Sequence, residues 1–418
     1  MATKSKSGLH GSRRKTLLVV VLVVIVVLVT SLFVYRFLVV DNGPIRVKTA
    51  AELRDAVNKA EMGLHIDIAL TKDITLGPVL NIPGGTNITL TSAAENDFFR
   101  LIGLDSQKVI TVDGGAVLTL DGIIVTHGNG DNGQGILVNE GGTLIMLDGE
   151  ISGNTNPWGM GGGVAINPGG VFELVGGVIL DNTATGGGGV YNEGVFKMTD
   201  GQITNNQATG GNSNYNEGNG GGVYVGETGS FTMSGNAVID SNTAHRYGGG
   251  VYVIQRASFR LSDGKISGNT AFGGGGVYTG GVFEMTSGKI TNNQAVDGNG
   301  DGDDVDGGGV YVGEAGSFTM SGDAVIDSNT AHRYGGGVCV AFRSSFSLSD
   351  GKISGNTAAS GGGVGVWFGS FSMSGGMITN NRATNYGGGV YNWYGYGTIN
   401  RSGGEVSGNT ADVGNDSY

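Results

Sequence analysis

The tripeptide Gly-Gly-Gly, or a close variant, followed by valine recurs along most of this chain. It places a valine at 164, 190, 223, 251, 277, 310, 338, 364 and 390. The spacings are 26, 33, 28, 26, 33, 28, 26 and 26 residues. A period in this range is the mark of a solenoid, in which each repeat packs only against its neighbours. The run 33, 28, 26 occurs twice, so an 87-residue unit of three repeats has been duplicated. Residues 223–251 and 310–338 differ only at Thr228/Ala315 and Asn236/Asp323.

Each repeat carries three apolar patches. The first is Val-x-Val, as in Val223 and Val225. The second is Phe-x-Met or Phe-x-Leu, as in Phe231/Met233, Phe259/Leu261 and Phe318/Met320. The third is a lone apolar residue with Asn three positions later, as in Ile239/Asn242 and Ile266/Asn269. These patches have period 2 or are single points, too short for helices. Three short strands in a coil of about 26 residues make one rung of an all-β, right-handed parallel β-helix, with rungs ~4.8 Å apart. Asn154, Asn182, Asn206, Asn242, Asn269, Asn293, Asn329, Asn356, Asn381 and Asn409 mark one recurring turn. Stacked asparagines can pair amide to amide, and Asn tolerates left-handed geometry. The triple glycines supply corners without a Cβ to clash between rungs.

Glycine fills 84 of 418 positions and proline only 5. No Gly-X-Y register runs through the chain, which excludes collagen. The preserved apolar periodicity excludes a disordered chain. Cys339 is the single cysteine, so no intrachain disulfide forms. On an outward-facing strand position it would be an exposed thiol able to crosslink chains.

The first 63 residues read differently. Residues 1–16 form a basic cytoplasmic tail, with Lys4, Lys6, Arg13, Arg14 and Lys15. Residues 17–40 form an apolar run, interrupted only by Arg36, long enough for a transmembrane signal-anchor. The positive flank places the remainder of the chain outside a cell membrane crossed once. A cleaved signal peptide is the rival reading; no A-x-A-like site follows the run. Residues 41–63 are a linker and a capping helix, since Thr49-Ala50-Ala51-Glu52 matches a capping box and Leu53 and Val57 share a face. The β-helix then occupies 64–418, with early strands at His65–Leu70, Asn87–Thr91 and Val109–Leu120. About a dozen rungs make a rod ~60 Å long. In the last coil Thr398 and Asn400 stand where the Phe-x-Met pair would be, and Trp393, Tyr394 and Tyr396 shield that end.

The Gly-Gly-Gly-Val and Asn-x-Ala pieces (Gly248–Val251, Asn269–Ala271) resemble the repeats of bacterial polymorphic outer-membrane and adhesin-like proteins. Over about residues 45–412 the chain resembles the pectin-lyase-like right-handed β-helix superfold. The resemblance implies adhesion or surface structure. It also implies a runner-up, since polysaccharide lyases and glycoside hydrolases use this superfold.

Charge narrows the partners. Residues 1–40 hold 6 of the 24 Lys and Arg and no acid, so the remainder carries 18 basic against 36 acidic residues. An acidic ectodomain of this kind disfavours nucleic acid. An enzyme of this shape needs carboxylates converging in one cleft. The outward positions of the second strand run Glu173, Lys197, Thr232, Arg260, Glu284, Thr319, Ser347 and Ser372, with no acidic pair on adjacent rungs. His245 and His332 sit in identical segments three rungs apart, too far for one metal.

Two candidate sites remain. Asp297, Asn299, Asp301 and Asp303 alternate with glycine in an insertion, as in a Ca²⁺ loop, although position twelve is Gly308 rather than Glu. The competing reading is a solvated acidic bulge. Tyr191, Tyr224, Tyr252, Tyr278 and Tyr311 lie beside inward valines, so strand alternation turns them outward on five consecutive rungs. Such a stripe holds sugar rings or a protein partner, or else it is a ladder that stabilises its own sheet. The leading expectation is therefore a membrane-anchored, non-catalytic surface protein that binds a glycan, a protein or its own copy. A polysaccharide-degrading enzyme and a passive envelope spacer are the alternatives.

Overall fold

The computed structural model describes residues 43–94, 97–128, 130–210, 217–296, 307–313 and 315–415. The tail at 1–16 and the apolar run at 17–40 lie outside the described residues. Among the described residues no helix is long and apolar enough to cross a membrane.

From Ile45 onward the chain is a right-handed-type parallel β-solenoid of about 13 turns. Every strand pairs in parallel with the equivalent strand one turn away, as Val223↔Val251, Phe231↔Phe259 and Ile239↔Ile266 illustrate. Valine strands form a 12-stranded sheet, and the phenylalanine and isoleucine strands share a 25-stranded one. A third sheet, of nine strands, was not expected. It is built from the short segment after the ladder asparagines from Asn154 to Asn381, such as Thr243–Ala244. From Thr155 to Tyr386 a turn thus has four strands rather than three. One alanine on a two-residue strand leaves too little periodicity to read, yet Ala208, Ala244 and Ala271 bury against one another.

The lumen is filled by like residues stacked on like. Eight phenylalanine rings, from Phe172 to Phe371, stack with centroids 4.6–5.1 Å apart and planes within 15° of parallel. Each is at most 1% exposed. Burial of one such ring stabilises the fold by about 2–3 kcal/mol relative to leaving it in water. The isoleucines form a parallel column beside them.

The asparagines form the polar counterpart of that column. Asn242 Nδ2 donates to Asn269 Oδ1 at 3.0 Å and to Ile203 O at 2.9 Å. Its Oδ1 accepts from Asn206 Nδ2 and from the Asn206 backbone N–H, each at 2.9 Å. The pattern runs unbroken from Asn154 to Asn409. Buried amides are tolerated here because both donors and both lone pairs are used. The left-handed corner lies one residue earlier than the asparagine itself. Gly153, Asp181, Asn205, Ser241, Gly268, Asn292, Ser328, Gly355, Asn380 and Gly408 all have φ between 54° and 66°. The ladder asparagine is selected for its amide, and its predecessor for tolerance of positive φ.

The glycine triplets act through two constraints. Gly248 has φ +67°, and a Cβ on Gly249 would stand 2.5 Å from Gly275 O. A Cβ on Gly250 would meet Gly276 O at 2.7 Å and the Asn269 amide at 3.0 Å. The first glycine serves conformation and the other two serve close approach.

Helix α1, Ala50–Asn58, closes the N-terminal end of the lumen. Thr49 Oγ1 accepts from Glu52 N at 3.2 Å, and Glu52 reaches back to Lys48 N at 2.8 Å. Leu53, Ala56 and Val57 bury in the same core as the first rungs. Strands follow at His65–Leu70 and Asn87–Ser92, whereas 109–120 divides into Ile110–Val112 and the start of Val117–His127. In the last coil the register differs by one from the reading above. Phe371 pairs with Ile399 and Met373 with Arg401, so the first apolar position persists and the second becomes a cation.

Candidate functional site

The tyrosine stripe exists in register, but it is not an exposed surface. Tyr191↔Tyr224↔Tyr252↔Tyr278↔Tyr311 pair across consecutive turns, and their ring centroids are 4.8–5.3 Å apart. Tyr224, Tyr252 and Tyr311 are 3%, 7% and 9% exposed, and Tyr191 and Tyr278 are half-buried. The covering comes from the bend that precedes each valine strand. Gly248 folds back until its missing Cβ would touch Tyr252, and Tyr247 packs on Tyr278 at 5.0 Å. Burial pushes the phenols of Tyr191, Tyr224 and Tyr252 well above their ordinary range. Tyr191 also donates to Glu193 Oε1 at 2.6 Å, which raises it further. The stripe behaves as a second core outside the lumen.

Cys339 is likewise buried rather than exposed. It clusters with Tyr311 and Ala341, with Tyr278, Tyr334 and Trp367 packed against them. A thiol in this position is shielded from crosslinking. The candidate Ca²⁺ residues Asp297, Asn299, Asp301 and Asp303 lie outside the described residues. Among the described residues no three His, Cys, Asp or Glu side chains are grouped to hold a metal. His245 and His332 follow alanine strands three positions apart in the nine-stranded sheet.

The outward charges of the phenylalanine strand pair across turns. Lys197 Nζ lies 2.9 Å from Glu173, and Arg260 lies 3.0 Å from Glu284. These carboxylates face cations on the neighbouring turn, not one another.

A different surface concentrates exposed aromatic area. The valine and phenylalanine strands of each turn are joined by a tight bend. In several turns it is closed by an i+3 hydrogen bond, as in Gly170 N→Asn167 O, Ala257 N→Ile254 O and Ser344 N→Ala341 O. Its third residue takes positive φ, for which Gly141 and Gly169 are suited. Farther along the rod the same bend turns aromatic. Phe342, Phe368, Tyr394 and Tyr396 are 41%, 38%, 76% and 61% exposed. Phe368 stacks on Tyr396 at 5.0 Å, meets Phe342 edge-on at 6.1 Å and lies 5.5 Å from Trp393. Arg343 sits over the Phe342 ring at 4.8 Å. The rings form a ridge across the last three turns.

Two ridge residues hold strained backbone. Phe368 has φ +57° and Tyr394 φ +47°. A bulky side chain in the left-handed region costs on the order of 1–3 kcal/mol against glycine. Sequence reading placed Trp393, Tyr394 and Tyr396 at this end, as shielding, but missed Phe342 and Phe368. The signal was present in the duplication. Gln255 of the first copy is Phe342 in the second, and one 87-residue period after Gly280-Gly281, just past the second copy, stand Trp367-Phe368.

Compared with known proteins, the chain matches no family model, no curated sequence and no solved structure.

Proposed function

We propose that this chain is a non-catalytic binding protein, a rigid solenoid whose aromatic ridge contacts a partner protein, held at a cell surface by the apolar run at 17–40. The observation that carries the reading is the ridge itself. Phe342, Phe368, Tyr394 and Tyr396 are exposed together, and two of them occupy backbone that glycine would fill at lower cost. Aromatic side chains with a flanking arginine are the composition of interface hot spots. A row of exposed, mutually packed rings suits contact with a partner surface. The likeness of the repeats to adhesin-like proteins supports the same role.

The test uses beads coated with the full chain, scored for self-aggregation and for retention on protein-coated and glycan-coated surfaces. Phe342→Gln with Phe368→Gly is expected to reduce retention on protein surfaces about tenfold or more, the loss of one or two hot-spot residues. Unchanged retention on every surface, with the protein still folded, contradicts the reading.

A further inference from the structure

A second surface, remote in sequence from the ridge, breaks the repeat near the other end of the rod. Where the middle turns, from Gln207–Ala208 to Thr330–Ala331, have a two-residue alanine strand, this turn has Thr155–Met160, with a register shift between Asn156 and Met160. The resulting bulge is braced by amides. Asn156 Nδ2 donates to Met160 O at 3.1 Å, and Gln134 Nε2 donates to Met160 O at 3.0 Å and Gly161 O at 2.9 Å. Trp158 stands on this braced bulge and is 91% exposed. Trp367 and Trp393 are both partly buried. An indole normally buries much of its 150–250 Å². Holding one in water on a hydrogen-bonded platform does nothing for the fold.

Beside Trp158 lies a cleft of about 430 Å³. Its lining includes Lys108, Asn132, Gln134 and Asn156, and Lys108 is the one charged residue among the residues that line it. The volume is within the range of about 300–1,000 Å³ that small-ligand sites occupy. A flat aromatic face bordered by amides and one cation matches a ligand with an apolar face and a polar rim. A pyranose ring has that form, with C–H groups on its face and hydroxyls around its edge. An apolar peptide would find only Val79 and Pro157 for company. A nucleic acid would meet an acidic chain.

We infer that the Trp158 cleft binds a saccharide, with one pyranose face on the indole and the polar rim toward Lys108, Asn132 and Asn156. The inference does not depend on the ridge. Its site belongs to a unique turn, outside the duplicated segments.

The experiment uses the full chain in detergent micelles, with Trp367→Phe and Trp393→Phe leaving Trp158 as the sole indole. Cellotetraose and tetragalacturonate serve as neutral and acidic probes, and tryptophan emission is followed. A saturable shift with at least one probe is expected. By calorimetry in the otherwise unaltered chain, Trp158→Ala is expected to weaken that binding about tenfold, the worth of one aromatic stacking contact. Lys108→Ala is expected to weaken the acidic probe more than the neutral one. Phe342→Gln with Phe368→Gly is expected to leave saccharide affinity unchanged, which separates failure here from failure of the ridge. No saturable shift with either probe, or full affinity in Trp158→Ala, overturns the inference. Because the indole is exposed, circular dichroism of that variant is expected to be unaltered.

Discussion

The last turns of the two copies of the 87-residue unit differ least where they stack and most where they bend. Over 251–276 and 338–363 the lumenal Val253, Phe259, Leu261 and Ile266 recur as Val340, Phe346, Leu348 and Ile353, and Asn269 recurs as Asn356. At the bend between valine and phenylalanine strands, Ile254-Gln255-Arg256-Ala257 has become Ala341-Phe342-Arg343-Ser344. In the turn that follows the second copy, Trp367-Phe368-Gly369 stands where the turn that opens that copy has Gly280-Gly281. Tyr252 has meanwhile given way to buried Cys339, with Trp367 packed against its cluster. Stacking fixes the interior, because each side chain must fit its own image one turn away. The bends meet solvent and have been free to acquire a different chemistry.

That contrast sets the order of expected effects. The largest fall on the ladder. Asn269→Ala removes two accepted and two donated hydrogen bonds, and the buried Asn242 backbone N–H loses its Asn269 Oδ1 acceptor. A cost of about 3–5 kcal/mol is expected from such a broken buried network. Asn356→Ala is expected to match it, and urea denaturation of both variants checks the equality. Unequal costs would mean that the copies are not equivalent scaffolds. Next come the glycines. Gly249→Ala and Gly336→Ala each set a Cβ against a carbonyl oxygen at 2.5 Å and are expected to lose about 2–3 kcal/mol by the same measurement.

A smaller effect has the opposite sign. Thr279 is fully buried at a lumenal position that is Val253 and Val312 in neighbouring turns, and its Oγ1 has no hydrogen-bond partner among the described residues. Thr279→Val is expected to stabilise the protein by about 1–2 kcal/mol. Loss of stability in thermal denaturation would show that the hydroxyl is satisfied.

The tyrosine stripe, present in the first copy and interrupted in the second, gives a pH signature. The phenols of Tyr224 and Tyr252 are raised by burial. Above about pH 10 the unfolded chain releases protons that the folded chain retains, so stability falls as pH rises from there. Tyr224→Phe with Tyr252→Phe is expected to flatten the fall, measured as the denaturation midpoint between pH 8 and 11. An undiminished slope would place these rings in water.

Much of this architecture was legible in the sequence because a solenoid repeats its instructions. The lumenal valines, the phenylalanine column, the asparagine positions and the cap at Thr49 all followed from spacing. The four-strand turn did not, since a lone alanine carries no period. Alternation correctly turned the tyrosines away from the lumen, but alternation describes one sheet. It cannot report that the Gly248 bend and Tyr247 fold over that sheet's outer face. Phe342 and Phe368 were overlooked for the complementary reason. They lie between strands, where no periodicity applies, and only comparison across the 87-residue period singles them out.

A stacked scaffold and an aromatic contact surface are separable parts of this molecule. The most direct test restores at both bends the residues found one 87-residue period earlier, Gln255 and Gly281, by Phe342→Gln with Phe368→Gly. Denaturation midpoint and retention on protein-coated surfaces are then measured on the same sample. Relief of strain at residue 368 offsets the lost ring contacts, so stability is expected to stay within about 1 kcal/mol. Retention is expected to fall about tenfold or more. Retention that survives in a protein of unchanged stability would contradict the ridge as the contact surface.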